Sequence, residues 1–224
     1  MGTISPERKY VEVLSSLYIS ESRLLEWDED LASLCGEAPR RLSCQTAIGY
    51  SVPIAMMRSS TINTDSLHDG GSYVDGRYIT HYFEATESLS IGGVQILDKT
   101  WISTPERALL DCTHYARSYP SVKLVLKSLN AISFSAEQIV HIAERVGMRN
   151  AARRLCAISA LMRKDHSHTG WLGHLYEYAD DLPKDPISLC DYEKDTNRIF
   201  GEDERFGVAW DIDPISVTQD VYSF

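Results

Sequence analysis

Three groups of residues in this chain have side chains that can do chemistry. The run "DHSHTGWLGH" carries His166, His168 and His174. An H-x-H on a strand puts two imidazoles on one face, where a metal can bind. Here the run follows a helical pattern and sits among Ser, Thr and Gly, with no acidic or Cys ligand fixed beside it. It reads as a surface loop. The second group is acidic: Glu177, Asp180, Asp181, Asp185, Asp191, Glu193 and Asp195 in the C-terminal third. Such carboxylates can hold Mg²⁺ for a nuclease. The usual restriction-type site also needs a lysine two positions after an acid, and no D-x-K or E-x-K occurs there. A solvated acidic face is the expectation. The third is Cys112 with His114, which point in different directions when two residues apart on a helix. Cys112 reads as a small core residue.

No G-x-S-x-G, phosphate-cradling glycine loop or paired dinucleotide signature is present. These residues therefore nominate no catalytic, cofactor-binding or metal site, and the expectation is a non-enzymatic protein without cofactors or a small-molecule substrate.

The elements that would position such groups follow from periodicity. "ERKYVEVLSSLYI" and "ESRLLEWDEDLASLC" are spaced as two short acidic helices, the second stopping at Gly36. "RRLSCQTAIGYSVPIAMM" reads as a short strand, a short helix from Gln45, then a Pro-containing turn into an apolar run. The turn-former-rich segment 60–76 reads as a loop or hairpin, "RYITHYF" as a strand, and "LSIGGVQILDKTWI" as two short strands around Gly92-Gly93.

At Ser103 the period changes from two to 3.6. Ser103 and Glu106 match a capping box, with Pro105 in the first turn. Three apolar stripes follow: Val122, Val125, Leu126, Leu129; then Ile139, Ile142, Ala143, Val146, opened by the box Ser135/Gln138 and closed at Gly147; then Ala151, Leu155, Ile158, Met162. "DPISLCDYEKD" and "RFGVAWDID" read as strands joined by the loop "KDTNRIFGEDE".

The expected fold class is α+β, with a small mixed N-terminal region, a helical middle and a short C-terminal β-element. The expected divisions are 1–40 (two acidic helices), 41–102 (mixed α/β), 103–165 (helical bundle) and 166–224 (acidic α/β element).

Composition limits the partners. The 224 residues carry 32 acidic against 22 basic side chains, a formal charge of −10. That balance opposes nonspecific attraction to nucleic acid and to anionic membrane. The densest basic clusters, Arg40-Arg41 and Arg149, Arg153, Arg154, are small. No apolar run approaches the ~20 residues of a membrane span, and "MGTISPERKY" lacks a secretory core. The five scattered cysteines read as reduced thiols, which points to the cytoplasm.

The run "GGVQILDKTWISTPERALLDCTHYARSYPSVKLVLKSLN" resembles the core of the AbiEi-type antitoxin family, the antitoxin and transcriptional-regulator half of bacterial type IV toxin–antitoxin modules. Gly93, Val94 and Ile96 match that family's "G-V-x-[VI]" strand. Thr104, Pro105, Glu106, Arg107, Leu109, Leu110 and Asp111 match its "[ST]-x-P-E-R-[AT]-L-L-D" helix start. Thr46 and Ala47 occupy the Ser-Ala positions of an upstream helix, and "RFGVAWDIDP" resembles a closing strand. The likeness spans roughly 40–215.

The resemblance implies an antitoxin-like protein that counteracts a nucleotidyltransferase-like toxin, with or without a lasting complex. It also implies an N-terminal winged helix-turn-helix that binds promoter DNA. Residues 1–40 depart from that pattern, because a helix carrying Glu26, Asp28, Glu29 and Asp30 is repelled by phosphates. The sequence assigns no DNA-binding residue. An autorepressor and a divergent nuclease-like enzyme stand as the alternatives.

Overall fold

Strand β1 (Arg40–Leu42) passes into helix α1 (Cys44–Ser51) across the single residue Ser43. So abrupt a change needs one unusual backbone angle, and Cys44 supplies it with φ +48°, in the left-handed region that side chains other than glycine seldom adopt. Leu42, Cys44, Ala47 and Ile48 are buried there. The computed structural model describes residues 40–51, 61–66, 71–75, 78–84, 89–97, 100–115, 117, 119–162, 170–190 and 199–222. The two expected N-terminal helices and the "IAMM" run lie outside them.

Five further strands join β1: β2 (Thr61–Ser66), β3 (Gly71–Asp75), β4 (Tyr78–Glu84), β5 (Gly93–Leu97) and β6 (Thr100–Ser103). The sheet order is β3-β4-β2-β1-β6-β5. β1 runs antiparallel to β2, with Arg41 opposite Asp65, and parallel to β6, with Arg41 opposite Trp101. β4 lies between β2 and β3, parallel to the former and antiparallel to the latter. Within the segment expected as a loop or hairpin, Thr61–Ser66 and Gly71–Asp75 are strands, and they pair with β4 rather than with each other. The polar residues of β2 are held as strand by pairing, since β2 has a neighbour on both sides. The pair near Gly92-Gly93 is also displaced: residues 89–92 form a turn, Gly93 opens β5, and the β5–β6 hairpin closes beyond Leu97, with a register shift between Gln95 and Leu97.

After β6 come α2 (Pro105–His114), α3 (Tyr119–Ala131), α4 (Ala136–Arg145), α5 (Arg149–Ser159) and α6 (Leu172–Asp180). Short strands β7 (Ile187–Ser188), β8 (Gly201–Asp203) and β9 (Val208–Trp210) follow, then α7 (Pro214–Tyr222). The fold is α+β. It forms two units, 1–108 and 109–224, where the sequence suggests a break at 102/103. Among the described residues no helix is long and apolar enough to cross a membrane.

In the second unit the expected stripes face inward. Val122, Val125, Leu126 and Leu129 of α3, Ile139, Ile142 and Ala143 of α4, and Ala151, Leu155 and Ile158 of α5 are all buried. Ser135 caps α4, its Oγ accepting from the Gln138 N–H at 3.2 Å. At the other end Gly147, with φ +71°, lets the Met148 N–H reach back to the Ala143 carbonyl at 2.8 Å, a glycine stop. The small sheet has the order β7-β9-β8, with β7 parallel and β8 antiparallel to β9. β8 thus starts inside the stretch expected as a loop.

Candidate functional site

The residues of "GGVQILDKTWISTPERALLDC" build a strand-to-helix junction. A Cβ on Gly93 would stand 2.6 Å from the Leu89 carbonyl oxygen and 3.3 Å from the Arg41 Cδ, so this strand needs glycine to lie against the turn. Beneath it the Arg41 guanidinium donates from Nη1 to the carbonyls of Leu89 (3.4 Å) and Ile91 (3.2 Å). The helix cap differs from the expected box. Thr104, not Ser103, accepts the Arg107 N–H at its Oγ1 (3.3 Å), Pro105 is the first helical residue, and Ser103 ends β6. With Thr104 as the cap, the third helical position is Arg107 rather than Glu106. Arg107, Leu109, Leu110 and Asp111 are fully buried. The motif is architecture.

The second concentration of polar contacts is where α5 meets the C-terminal sheet. Arg153 is 2% exposed and its guanidinium holds backbone: Nε donates to Phe206 O (2.8 Å), while Nη2 donates to Asp185 O (2.8 Å) and Gly207 O (3.1 Å). Its Nη1 donates to Asn150 Oδ1 at 3.3 Å. Arg154 does similar work, donating to Ser188 O at 2.6 Å and Thr113 O at 3.3 Å. Burial, with Arg117 nearby, lowers the Arg154 guanidinium to about 10, still charged at neutral pH. Asp211 accepts the Cys190 N–H with both oxygens, at 2.9 and 3.2 Å. Burial pushes the Cys190 thiol up to about 12, so it is neither a thiolate nor a nucleophile at neutral pH. The basic cluster seen in the sequence at Arg153 and Arg154 therefore turns inward.

Of the candidate groups, His166 and His168 lie outside the described residues, as do Asp191, Glu193 and Asp195. His174 is exposed on α6, with Nδ1 3.9 Å from Glu177 Oε2. Asp180 receives a two-pronged bond from Arg205 (3.1 and 2.7 Å) and lies 3.9 Å from the Lys184 ammonium. Arg205 holds that carboxyl below its ordinary range. Asp185 contributes its backbone carbonyl to Arg153. Among the described residues no group of three or more His, Cys, Asp or Glu is gathered to hold a metal. Cys112 is 1% exposed in the core, while His114 packs edge-on against Tyr115, 4.5 Å between ring centres. The two are not paired.

No family model, curated protein or solved structure matches this chain. The junction and the arginine joint are therefore read from their own chemistry. They are fixed, buried and engaged with backbone.

Glu144 on α4 accepts both Arg149 of α5 (2.6 Å at Nη2) and the Tyr178 hydroxyl of α6 (2.6 Å), tying three helices. Arg205 stacks over Tyr176 and Phe206, 4.9 and 5.1 Å from the ring centres. An open apolar depression of about 340 Å³ is lined by Leu161, Pro214, Ile215, Thr218 and Gln219. Near-complete burial of α5 could have been anticipated, because "AARRLCAI" flanks both arginines with small and apolar residues on every side.

Proposed function

We propose that this chain is a non-enzymatic, cytosolic, antitoxin-like protein of a bacterial type IV module that counteracts a nucleotidyltransferase-like toxin. The observation that carries the reading is the motif from Gly93 to Asp111. Its residues match the family pattern; Gly93 packs against the turn, Thr104 accepts the Arg107 N–H, and Arg107, Leu109, Leu110 and Asp111 are buried. A motif whose members cooperate in one piece of architecture is a more specific likeness than the same residues scattered.

Electrostatics supports antagonism in preference to promoter binding. Lys123, Arg149, Lys184 and Arg205 each sit within 4 Å of a carboxylate. Arg41, Arg153 and Arg154 are buried against backbone carbonyls. Phosphate binding needs cations with free donors directed at solvent, and these residues spend theirs internally.

The test is a growth assay in which the product of any adjacent nucleotidyltransferase-like gene is expressed alone and together with this chain. Arrest by that product, relieved by this chain, is the expected result. Arrest that persists while both proteins are soluble and abundant rejects the reading for that pair.

A further inference from the structure

The outer edge of the C-terminal sheet has a chemistry that the junction and the arginine joint do not use. In the order β7-β9-β8, β8 is outermost and pairs with β9 alone among the described residues. The Phe200 N–H bonds to the Trp210 carbonyl at 2.7 Å, so the extended pairing begins one residue before β8. Only three large apolar side chains are well exposed among the described residues, and two of them, Ile199 (67%) and Phe200 (41%), stand side by side here. Glu202 and Glu204 follow, both exposed, and neither forms an ion pair among the described residues. Asp203 is turned inward, accepting the Phe206 N–H at 3.1 Å. Among the described residues of this stretch the one cation, Arg205, is already held by Asp180 and two aromatic rings. The edge is thus apolar at one end and carries net negative charge at the other.

We infer that the edge from Ile199 to Glu204 docks a basic, extended segment of another protein. Such a segment adds main-chain hydrogen bonds along β8, covers Ile199 and Phe200 with apolar side chains, and pairs its cations with Glu202 and Glu204. A second copy of this chain fits poorly, since a two-fold pairing of like edges brings four glutamates together with no cation of this edge to pair them. Nucleic acid is disfavoured because its phosphates meet the same carboxylates. The inference does not depend on the toxin reading, because any partner with such a segment satisfies it.

The test uses the full chain and a short synthetic peptide alternating lysine and valine, with a glutamate–valine peptide as control. Binding is followed by fluorescence anisotropy and by amide chemical shifts. The lysine peptide is expected to bind and to shift the amides of Ile199 to Glu204, and the control is not. E202K/E204K and I199S/F200S should each weaken binding by about tenfold or more, with unchanged circular dichroism showing that the fold is kept. Absent binding overturns the inference, as do shifts spread over the whole acidic surface and equal in wild type and variants. It also fails if E202K/E204K binds the peptide normally but self-associates in sedimentation, for then the glutamates only guard an edge against aggregation.

Discussion

The first unit holds its turn at residues 89–92 with Arg41, and the second holds its C-terminal sheet with Arg153. Both guanidiniums are buried, both donate to backbone carbonyls, and in both a glycine lies against the arginine. The difference is in what these bonds join: the two Arg41 carbonyls belong to one turn, and the Arg153 carbonyls to separate segments. Arg41 reaches two carbonyls at 3.2 and 3.4 Å. Arg153 reaches three carbonyls and a side-chain amide, two of the carbonyls at 2.8 Å. The glycines differ too. Gly207 has φ +61°, whereas Gly93 owes its identity to crowding alone. A buried arginine can therefore brace one turn or join separate segments, and the spacing along the chain of the carbonyls it binds distinguishes the two roles.

The largest test of this contrast is to remove the arginines. R153A leaves the carbonyls of Phe206, Asp185 and Gly207 without their donor, and should lower the stability of the second unit by on the order of 3–5 kcal/mol. R41A removes the donor to the Leu89 and Ile91 carbonyls, held at longer distances, and should lower the stability of the first unit by about 2 kcal/mol. R153K should recover little, because an ammonium cannot span three carbonyls in a fixed fork. Denaturant unfolding measures the sizes, and hydrogen exchange at Val208 to Trp210 locates the damage. Equal costs for the two alanine variants would abolish the distinction.

The glycines give a smaller effect. At Gly207 a Cβ would meet Arg153 Nη2 at 2.5 Å and the Lys184 carbonyl oxygen at 2.9 Å, on a backbone that side chains resist. At Gly93 the closest atom is the Leu89 carbonyl oxygen, at 2.6 Å. Each alanine variant should cost about 1–3 kcal/mol. Only one should depend on its arginine. In an R153A background the nearest clash at residue 207 disappears, so the double variant should cost less than the sum. At Gly93 the obstructing atom is backbone and remains in R41A, so those costs should come closer to adding.

Much of this architecture was legible in the sequence where a local rule acts. The stripes of α3, α4 and α5 were readable because periodicity and burial coincide, and Ser135 because a cap follows from its own side chain. The α7 start was readable and was missed: Asp213 caps it, accepting the Ile215 N–H at 3.0 Å and the Ser216 hydroxyl at 2.6 Å, with Pro214 in the first turn. α6 gave less to work with, since Trp171 precedes it without a side-chain cap and Gly173 sits in its first turn. The roles of Arg41 and Arg153 were not legible at all. The carbonyls they hold lie 32 to 54 residues away in sequence, and residue type alone does not say which way a side chain turns. The C-terminal edge was hidden for a related reason, because exposure of Ile199 and Phe200 depends on which strand lies outermost.

The smallest effect separates the arginine joints from the surface clamp by pH. Glu144 is held below its ordinary value by the hydrogen bonds from Arg149 first and from Tyr178 next. A carboxyl whose value falls on folding adds stability that is complete above its unfolded value and is lost as pH drops through the folded one. The E144Q penalty should therefore be present at neutral pH and fade through the acid range below about 4.5. Tyr178 has the opposite sign: desolvation, then the bond to Glu144, raises its hydroxyl, so it stays protonated throughout that window and contributes no titration of its own. The Arg153 joint engages carbonyls and an amide, none of which titrates, so the R153A penalty should stay constant over the same range. Parallel unfolding curves of the two variants at neutral and acid pH read the difference directly. A penalty for R153A that fades along with that of E144Q would mean that a carboxylate, rather than backbone, supports the joint.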